Sequence, residues 1–179
     1  DARVNGEDAS LRNVEWSLKK MEWDNLFNYG ENNTINFEKL NGVVGVFGKN
    51  YSGKSSVIDS ALYTIYNSIS KNNRKNLNII NQNKQAGCGR VEIDIDGKAY
   101  IIERKSEKYK KKLHGEETDE AKTDVEFSMI DPATGEETSL NSLDRNGTDK
   151  EIRKIFGTID DFLLTSMSSQ MGAMTFINE

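Results

Sequence analysis

One stretch of the chain limits the possible folds more than any other. Over residues 43–56 it reads VVGVFGKNYSGKSS, which is an apolar run, a polar loop between glycines and a start suited to a helix. The loop matches the pattern G-x-x-x-x-G-K-[ST], and its flanks have the strand and helix character that this pattern requires. The stretch therefore predicts a strand, a phosphate-binding loop and a helix in succession.

Each residue type in this loop has a chemical reason. Gly48 and Gly53 allow backbone conformations that a side chain forbids, and loop amides together with a helix N-terminus bind anions. Lys54 can reach β- and γ-phosphates, and the Ser55 hydroxyl suits Mg²⁺. A glycine turn that only resembles the motif is the alternative, and the flanking elements disfavour it. The candidate nucleotide-binding residues are Gly48, Lys49, Asn50, Tyr51, Ser52, Gly53, Lys54, Ser55 and Ser56.

Helical periodicity follows the loop from Lys54 to Ser68. The apolar positions fall on one face of the helix, and such a face packs on a sheet. Residues 43–47 have the composition of a strand that is buried on both sides. The fold class expected is α/β: the N-terminal lobe of a P-loop NTPase of ABC-ATPase type, with a mixed sheet and β-hairpins beside the phosphate-loop helix.

Alternating apolar and polar residues predict further strands. One runs from Val14 to Trp23, with a change of phase at Lys19-Lys20 that indicates a bulge, and a second covers Asn33–Leu40. Residues 71–89 read as irregular. Two β-hairpins follow, turning at Asp96-Gly97 and at 131–135, with a charge-rich tip at 105–122 between them.

The C-terminal part has helix signals. Thr148 and Glu151 form a capping-box pattern for a helix that ends at Gly157. A short helical turn at 159–162 and a strand over 163–170 are expected next.

Composition sets outer limits on the kind of protein. The 179 residues carry a net charge of -5 and are 35% hydrophobic and 30% charged, as in one domain or part of a larger one. No apolar run of about 18 residues is present, and neither is a signal-peptide pattern. The single Cys88 excludes an internal disulfide and fits a reducing compartment. Residues 1–13 are expected to be a polar lead-in to a domain over 14–179.

The order of these elements resembles the N-terminal half of the ATPase head of the SbcC/RecF/SMC group of ABC-type ATPases. It is similar above all to DNA double-strand-break repair ATPases of the SbcC kind. The resemblance rests on Trp23, Asn25, Tyr29 and Gly30 ahead of the loop, on the loop itself, on the helix start VIDSAL and on a late Ser-Ser-Gln.

The resemblance implies a function and a set of site residues. It implies an ATP-binding ATPase subunit of a DNA repair or recombination nuclease complex, in which ATP and Mg²⁺ bind between two heads. Lys54 and Gln170 would be catalytic, and Ser55 and Gln170 would contact the metal; a surface glutamine at a strand end is the other interpretation of Gln170. The partners implied are DNA, an SbcD-like nuclease subunit, a second copy of the head and a C-terminal half-head, without a membrane, in a cytoplasmic, nucleoid-associated location.

The sequence also departs from the family pattern. Tyr51 stands where the family often has glycine, and residues 25–28 lack the arginine that its early loop commonly offers to the nucleotide. Neither a Leu-Ser-Gly-Gly signature nor an apolar run ending in Asp-Glu is found. We therefore expect a half-head that presents the phosphate loop but hydrolyses ATP weakly, or not at all, by itself.

Several alternatives remain open at this level. A small-molecule or nucleotide kinase shares the same loop, and a nucleotide-switched scaffold that binds DNA would bind ATP without turning it over. The basic stretch 104–112 could contact DNA phosphates or be a hairpin tip neutralised by the acidic residues that follow it. Arg74 and Lys75 could approach the nucleotide or be plain surface charges. His114 is expected in a solvated loop.

Overall fold

The computed structural model describes residues 16–40, 45, 47, 49, 53–70 and 75–165, with side chains up to Phe162. Its centre is one six-stranded sheet in the order β2-β1-β3-β4-β5-β6, and each of the five pairings is antiparallel. The strands are β1 (Trp16–Asp24), β2 (Asn33–Asn36), β3 (Ala86–Ile95), β4 (Lys98–Leu113), β5 (Glu116–Ile130) and β6 (Glu137–Ser139).

Three helices accompany the sheet: α1 (Lys54–Tyr66), α2 (Arg145–Phe156) and α3 (Ile159–Thr165). Helix α1 lies against β3 and β4, and α2 lies against β5. The α/β fold class and the phosphate-loop helix are thus confirmed. A parallel pairing, which a mixed sheet would also contain, does not occur among the described strands. In the described part of the chain, no helix is long and apolar enough to cross a membrane.

The core lies between α1 and the sheet. Apolar side chains of both are fully buried, and the aromatic rings of β1, α2 and α3 close one side of the core, with Trp16 stacked on Phe162 at 5.2 Å between ring centroids. The helix comes very near β3: a Cβ added at Gly89 would collide with the Thr64 hydroxyl. A glycine is required there because any side chain would push the helix off the sheet.

Several local predictions hold in β1 and the first hairpin. The β1–β3 register shifts between Leu18 and Lys20, which confirms the bulge. Asp96 and Gly97 form the β3–β4 turn with positive φ angles of 51° and 81°. Strand β3 begins at Ala86, earlier than the periodicity indicates, because glycines interrupt the apolar alternation there. Strand β2 is shorter than expected, since the Asn36 side chain accepts a hydrogen bond from the Glu38 amide and starts a 3-10 turn.

The charge-rich segment between the two hairpins is strand rather than loop. Strands β4 and β5 continue as a long two-stranded ribbon to a turn at His114-Gly115, where His114 is exposed. Opposite charges face each other across it, with Lys110–Asp119 at 3.0 Å and Lys112–Glu117 at 3.4 Å. These pairs favour the self-neutralised interpretation of the tip. Exposed pairs of this kind contribute little to stability.

The C-terminal helices differ from the sequence prediction in detail. Helix α2 begins before Thr148, because Asp144 is the N-cap and its carboxylate accepts from the Gly147 amide at 2.6 Å. Its end at Gly157 is confirmed. The strand expected from residue 163 is wrong for 163–165, which belong to α3. Thr158 and Asp161 cap that helix reciprocally, with Thr158 N–Asp161 Oδ2 at 2.9 Å and Asp161 N–Thr158 Oγ1 at 3.3 Å.

The strand predicted over 43–47 is also wrong for its described residues. Gly45 and Phe47 are in no strand, and Phe47 is 94% exposed. A strand buried on both faces needs neighbours on its edges and layers above and below it. Neither Gly45 nor Phe47 pairs with any of the six described strands. Val43, Val44 and Val46 lie outside the described residues, as does the lead-in over 1–13.

Candidate nucleotide-binding site

The N-terminus of α1 is the centre of the candidate site. Its N-cap is Gly53, with φ 90° and ψ 11°, a left-handed conformation that glycine adopts most readily. Helix α1 has no side-chain cap and no acidic residue in its first turn, whereas α2 is capped by Asp144 and α3 begins with two aspartates. Because the first amides of a helix lack internal partners and carry a partial positive charge, this end of α1 is suited to an anion.

Lys54 folds back over the loop. Its ammonium group donates a hydrogen bond of 2.9 Å to the main-chain carbonyl of Lys49, five residues earlier. Ser55 is exposed, and the Ser56 amide donates to the Gly53 carbonyl at 3.0 Å. A cation, a hydroxyl and helix-end amides therefore lie together, which is the donor set that a polyphosphate with a divalent metal requires.

Five of the predicted site residues can be located and five cannot. Lys49, Gly53, Lys54, Ser55 and Ser56 are together at the start of α1. Gly48, Asn50, Tyr51, Ser52 and Gln170 lie outside the described residues. No group of three or more histidine, cysteine, aspartate or glutamate side chains that could hold a metal ion occurs within 16–40, 53–70 or 75–162.

The structure adds a second segment to the site, the loop Asn25–Asn32 between β1 and β2, which we call the β1–β2 loop. The Tyr29 hydroxyl donates a hydrogen bond of 3.1 Å to the Gly53 carbonyl, and its partial burial raises the pKa of Tyr29 above the ordinary value. The Asn28 side chain packs on Gly53, so that a Cβ there would lie 2.8 Å from its Nδ2. Tyr29 is among the residues that carry the family resemblance, but the resemblance gives it no role in the site, and the sequence does not predict the contacts of Tyr29 and Asn28 with Gly53.

The β1–β2 loop is itself held firmly. The Phe27 amide donates to the Ile79 carbonyl at 2.7 Å, and the Asn81 amide donates to the Asn25 carbonyl at 2.8 Å. The Asn81 side chain donates to the Tyr29 carbonyl at 3.0 Å. These bonds fix the loop to the segment after α1, so Tyr29 and Asn28 meet Gly53 from a rigid support.

The other end of α1 is closed by Arg104, which is fully buried. Its Nε donates to the Thr64 carbonyl at 3.0 Å, and its Nη2 donates to the Ile65 carbonyl at 3.3 Å and to Asp149 Oδ1 at 2.6 Å. Burial lowers the Arg104 pKa, and the Asp149 carboxylate opposes that effect. Counting Arg104 among the cations of the stretch 104–112 was wrong, because the guanidinium lies inside the fold. The sequence signal is alternation: Ile102, Arg104 and Ser106 continue one buried face of β4.

Known proteins resemble this chain along most of its length. A model of the family described as AAA domain matches residues 20–175. The chain is 29% identical over 142 residues to the SbcC component of the nuclease SbcCD of Clostridium acetobutylicum, which covers 76% of this chain and 11% of that protein. It is 29% identical over 87 residues to the "DNA double-strand break repair Rad50 ATPase" of Sulfolobus acidocaldarius, which covers 49% of this chain and 10% of that protein.

A viral relative is matched over a longer stretch. The chain is 31% identical over 174 residues to "Uncharacterized protein R555" of Acanthamoeba polyphaga mimivirus, which covers 94% of this chain and 12% of that protein. The chain thus spans only 10% to 12% of the length of these three relatives. A solved structure of the recombination mediator protein RecF with ATP is 17% identical, with a TM-score of 0.44, covering 60% of this chain and 28% of that one.

Proposed function

This chain belongs to the AAA domain family, and we propose from that premise that it is the ATP-binding N-terminal part of a DNA-repair ATPase of the SbcC and Rad50 kind. The observation that carries the proposal is the start of α1. There a helix without any side-chain cap begins at a left-handed glycine, in a sequence that matches the phosphate-loop pattern. An anionic ligand would supply the partners that the first amides lack.

Each residue of the site has a proposed role. Lys54 exchanges its bond to the Lys49 carbonyl for the β- and γ-phosphates of ATP, a charge-assisted contact. The amides of the first turn of α1 bind the same phosphates. Ser55 and, outside the described residues, Gln170 would hold Mg²⁺, which neutralises phosphate charge when bound. The uncapped helix end and the exposed Ser55 hydroxyl fit these groups.

The larger assembly is a further part of the proposal; the names of two relatives support only its link to DNA repair and to a nuclease. ATP binding would bring two copies of the head together, and this closure would change the access of DNA to an SbcD-like nuclease subunit. Hydrolysis would reopen the heads, with a C-terminal half of the head supplying its own catalytic elements. Since phosphoryl transfer depends mainly on positioning and charge stabilisation, this part of the head contributes binding and orientation.

The test is a calorimetric titration of the 179-residue chain with ATP and Mg²⁺. Lys54→Ala should weaken binding on the order of 100-fold, because a charge-assisted contact to two phosphates is lost. Lys154→Ala is the matched control: this lysine is exposed and paired with Glu151 on α2 at 2.7 Å, and its loss should leave binding unchanged. Equal affinity of Lys54→Ala and the parent chain would overturn the proposal.

A further inference from the structure

We propose that Tyr29 is a positioning residue of the nucleotide site, which orients the first amide of α1 toward the phosphates through the Gly53 carbonyl. The inference rests on the proposed function above and deepens it. The phosphate-loop pattern does not include this tyrosine, and the family resemblance that it helps to carry gives it no role in the site.

The argument starts from one peptide unit. The Gly53 carbonyl and the Lys54 amide belong to the same planar, trans peptide group, in which C=O and N–H point in opposite directions. Holding the oxygen therefore fixes the direction of the amide. Gly53 has φ 90°, and glycine in this region has a wide choice of conformations. Without an external partner this peptide would be the least constrained link between the loop and the helix.

Two hydrogen bonds hold that oxygen. One comes from the Ser56 amide at 3.0 Å and belongs to the helix itself. The other comes from the Tyr29 hydroxyl at 3.1 Å, across 24 positions of sequence. The Tyr29 hydroxyl thus ties the start of α1 to a separate part of the chain.

Tyr29 is well placed to act as a fixed support. Its amide donates to the Leu26 carbonyl at 3.0 Å, its carbonyl accepts from the Asn81 side chain, and its ring meets Trp23 edge-on at 5.2 Å. The side chain of Asn28, the neighbouring residue, lies so close to Gly53 that a Cβ added there would be 2.8 Å from its Nδ2. The whole arrangement is uncharged, so it does not compete with the phosphates for the helix end as a carboxylate cap would.

The experiment compares two ligands and two variants in the 179-residue chain. ATP and inorganic tripolyphosphate, each with Mg²⁺, share the phosphate groups, but only ATP carries a base and a sugar. Tyr29→Phe removes one hydroxyl and keeps the ring against Trp23. Tyr109→Phe is the matched control, since this tyrosine is on the exposed ribbon.

For Tyr29→Phe, we expect the affinity for both ligands to fall by the same factor, about 5- to 10-fold, as for one lost hydrogen bond. The midpoint of thermal unfolding should move by less than about 3 °C. Tyr109→Phe should change neither. Unchanged affinity of Tyr29→Phe overturns the inference, and so does a loss confined to ATP, which would mean direct contact with the base or sugar. A parent chain that binds neither ligand would instead overturn the proposed function itself.

Discussion

The two ends of helix α1 are built in opposite ways. At the C-terminal end, Asn67 in a left-handed conformation and the buried guanidinium of Arg104 satisfy the last carbonyls, and Asp149 balances the charge. At the N-terminal end, Gly53 supplies no cap, and the contacts from the β1–β2 loop reach the carbonyl of that residue and leave the amides alone. Among the described residues, side chains satisfy carbonyls at the C-terminal end of the helix, whereas no side-chain cap is found at its N-terminal end.

This difference suggests a division within the helix: the C-terminal end anchors α1 in the fold, and the N-terminal end is the proposed ligand site. A buried charge with several hydrogen bonds anchors α1 to β4 and α2, so changes there should lower the free energy of unfolding. The side chain of Ser55, at the N-terminal end, is exposed, so a change there should leave the free energy of unfolding nearly unchanged and, under the proposed function, lower ligand affinity instead. Variants at both ends of the helix, and at a buried tyrosine between them, test this division.

The largest effect on stability is expected for Arg104→Met. This change leaves the Asp149 carboxylate, which is only 12% exposed, without its partner and leaves two helix carbonyls unsatisfied. Removing one partner of such a buried pair should cost about 3–5 kcal/mol of the free energy of unfolding, measured by urea denaturation. Arg153→Met, at an exposed position of α2, is the control and should cost less than about 0.5 kcal/mol.

A double variant makes the same test sharper. Adding Asp149→Asn to Arg104→Met removes the uncompensated charge, so the pair of changes should cost less than the sum of the two single changes. Strict additivity would show that Arg104 acts only through packing, and the proposed anchoring by charge would then be wrong.

The second prediction concerns alkaline pH. Tyr63 is buried on α1, with its hydroxyl 2.6 Å from Ser106 Oγ, and burial raises its pKa from 10.0 to about 12. As the pH rises, the unfolded chain loses this proton first. The contribution of Tyr63 to the free energy of unfolding is therefore fully present below pH 10, and between pH 10 and 12 it should fall by about 1.4 kcal/mol per pH unit. Denaturation at a series of pH values measures the slope.

Tyr63→Phe provides the reference for that slope. The variant lacks the titrating group, so above pH 10 its free energy of unfolding should fall less steeply than that of the parent chain. The difference in slope should be about 1.4 kcal/mol per pH unit, which corresponds to one proton. A slope identical to that of the parent chain would mean that Tyr63 ionises freely in the folded protein.

The smallest effect on stability is expected at the open end. Ser55 is exposed and caps nothing described in α1, and alanine is a good helix former, so Ser55→Ala should change the free energy of unfolding by less than about 0.5 kcal/mol. If Ser55 binds the metal, Mg²⁺ should increase the ATP affinity of Ser55→Ala less than it increases that of the parent chain. Titrations with ATP in the presence of Mg²⁺ and in the presence of EDTA measure this difference. A large loss of stability would mean that this end is structural as well.

Much of the fold could be predicted because it depends on local signals. The helix periodicity after Gly53, the phase change at Lys19 and the Asp96-Gly97 turn are each encoded within a few residues. The resemblance to the SbcC/RecF/SMC group is also confirmed, by the family model and by the relatives named for SbcC and Rad50. Gly45 and Phe47 show the limit of this approach, since an apolar pattern gives a strand only where neighbouring strands are available to pair with it.

The site was only partly predictable for a related reason. The phosphate-loop residues follow one another in sequence, so a pattern finds them. Tyr29 contacts Gly53, and Arg104 reaches Asp149, across 24 and 45 positions. Their roles depend on which strand faces which helix. From composition alone, Arg104 was predicted to belong to the same basic stretch as the surface lysines that follow it.

The ribbon formed by β4 and β5 has a practical consequence. Residues 109–113 and 116–120 hydrogen-bond as strands only with each other among the described elements, and His114 and Gly115 close them in a tight turn. Extra chain inserted at this turn would lengthen a hairpin that supports nothing else in the sheet. An epitope or a fluorescent label could therefore be grafted there to follow the protein in solution, without a change at the N-terminus of α1.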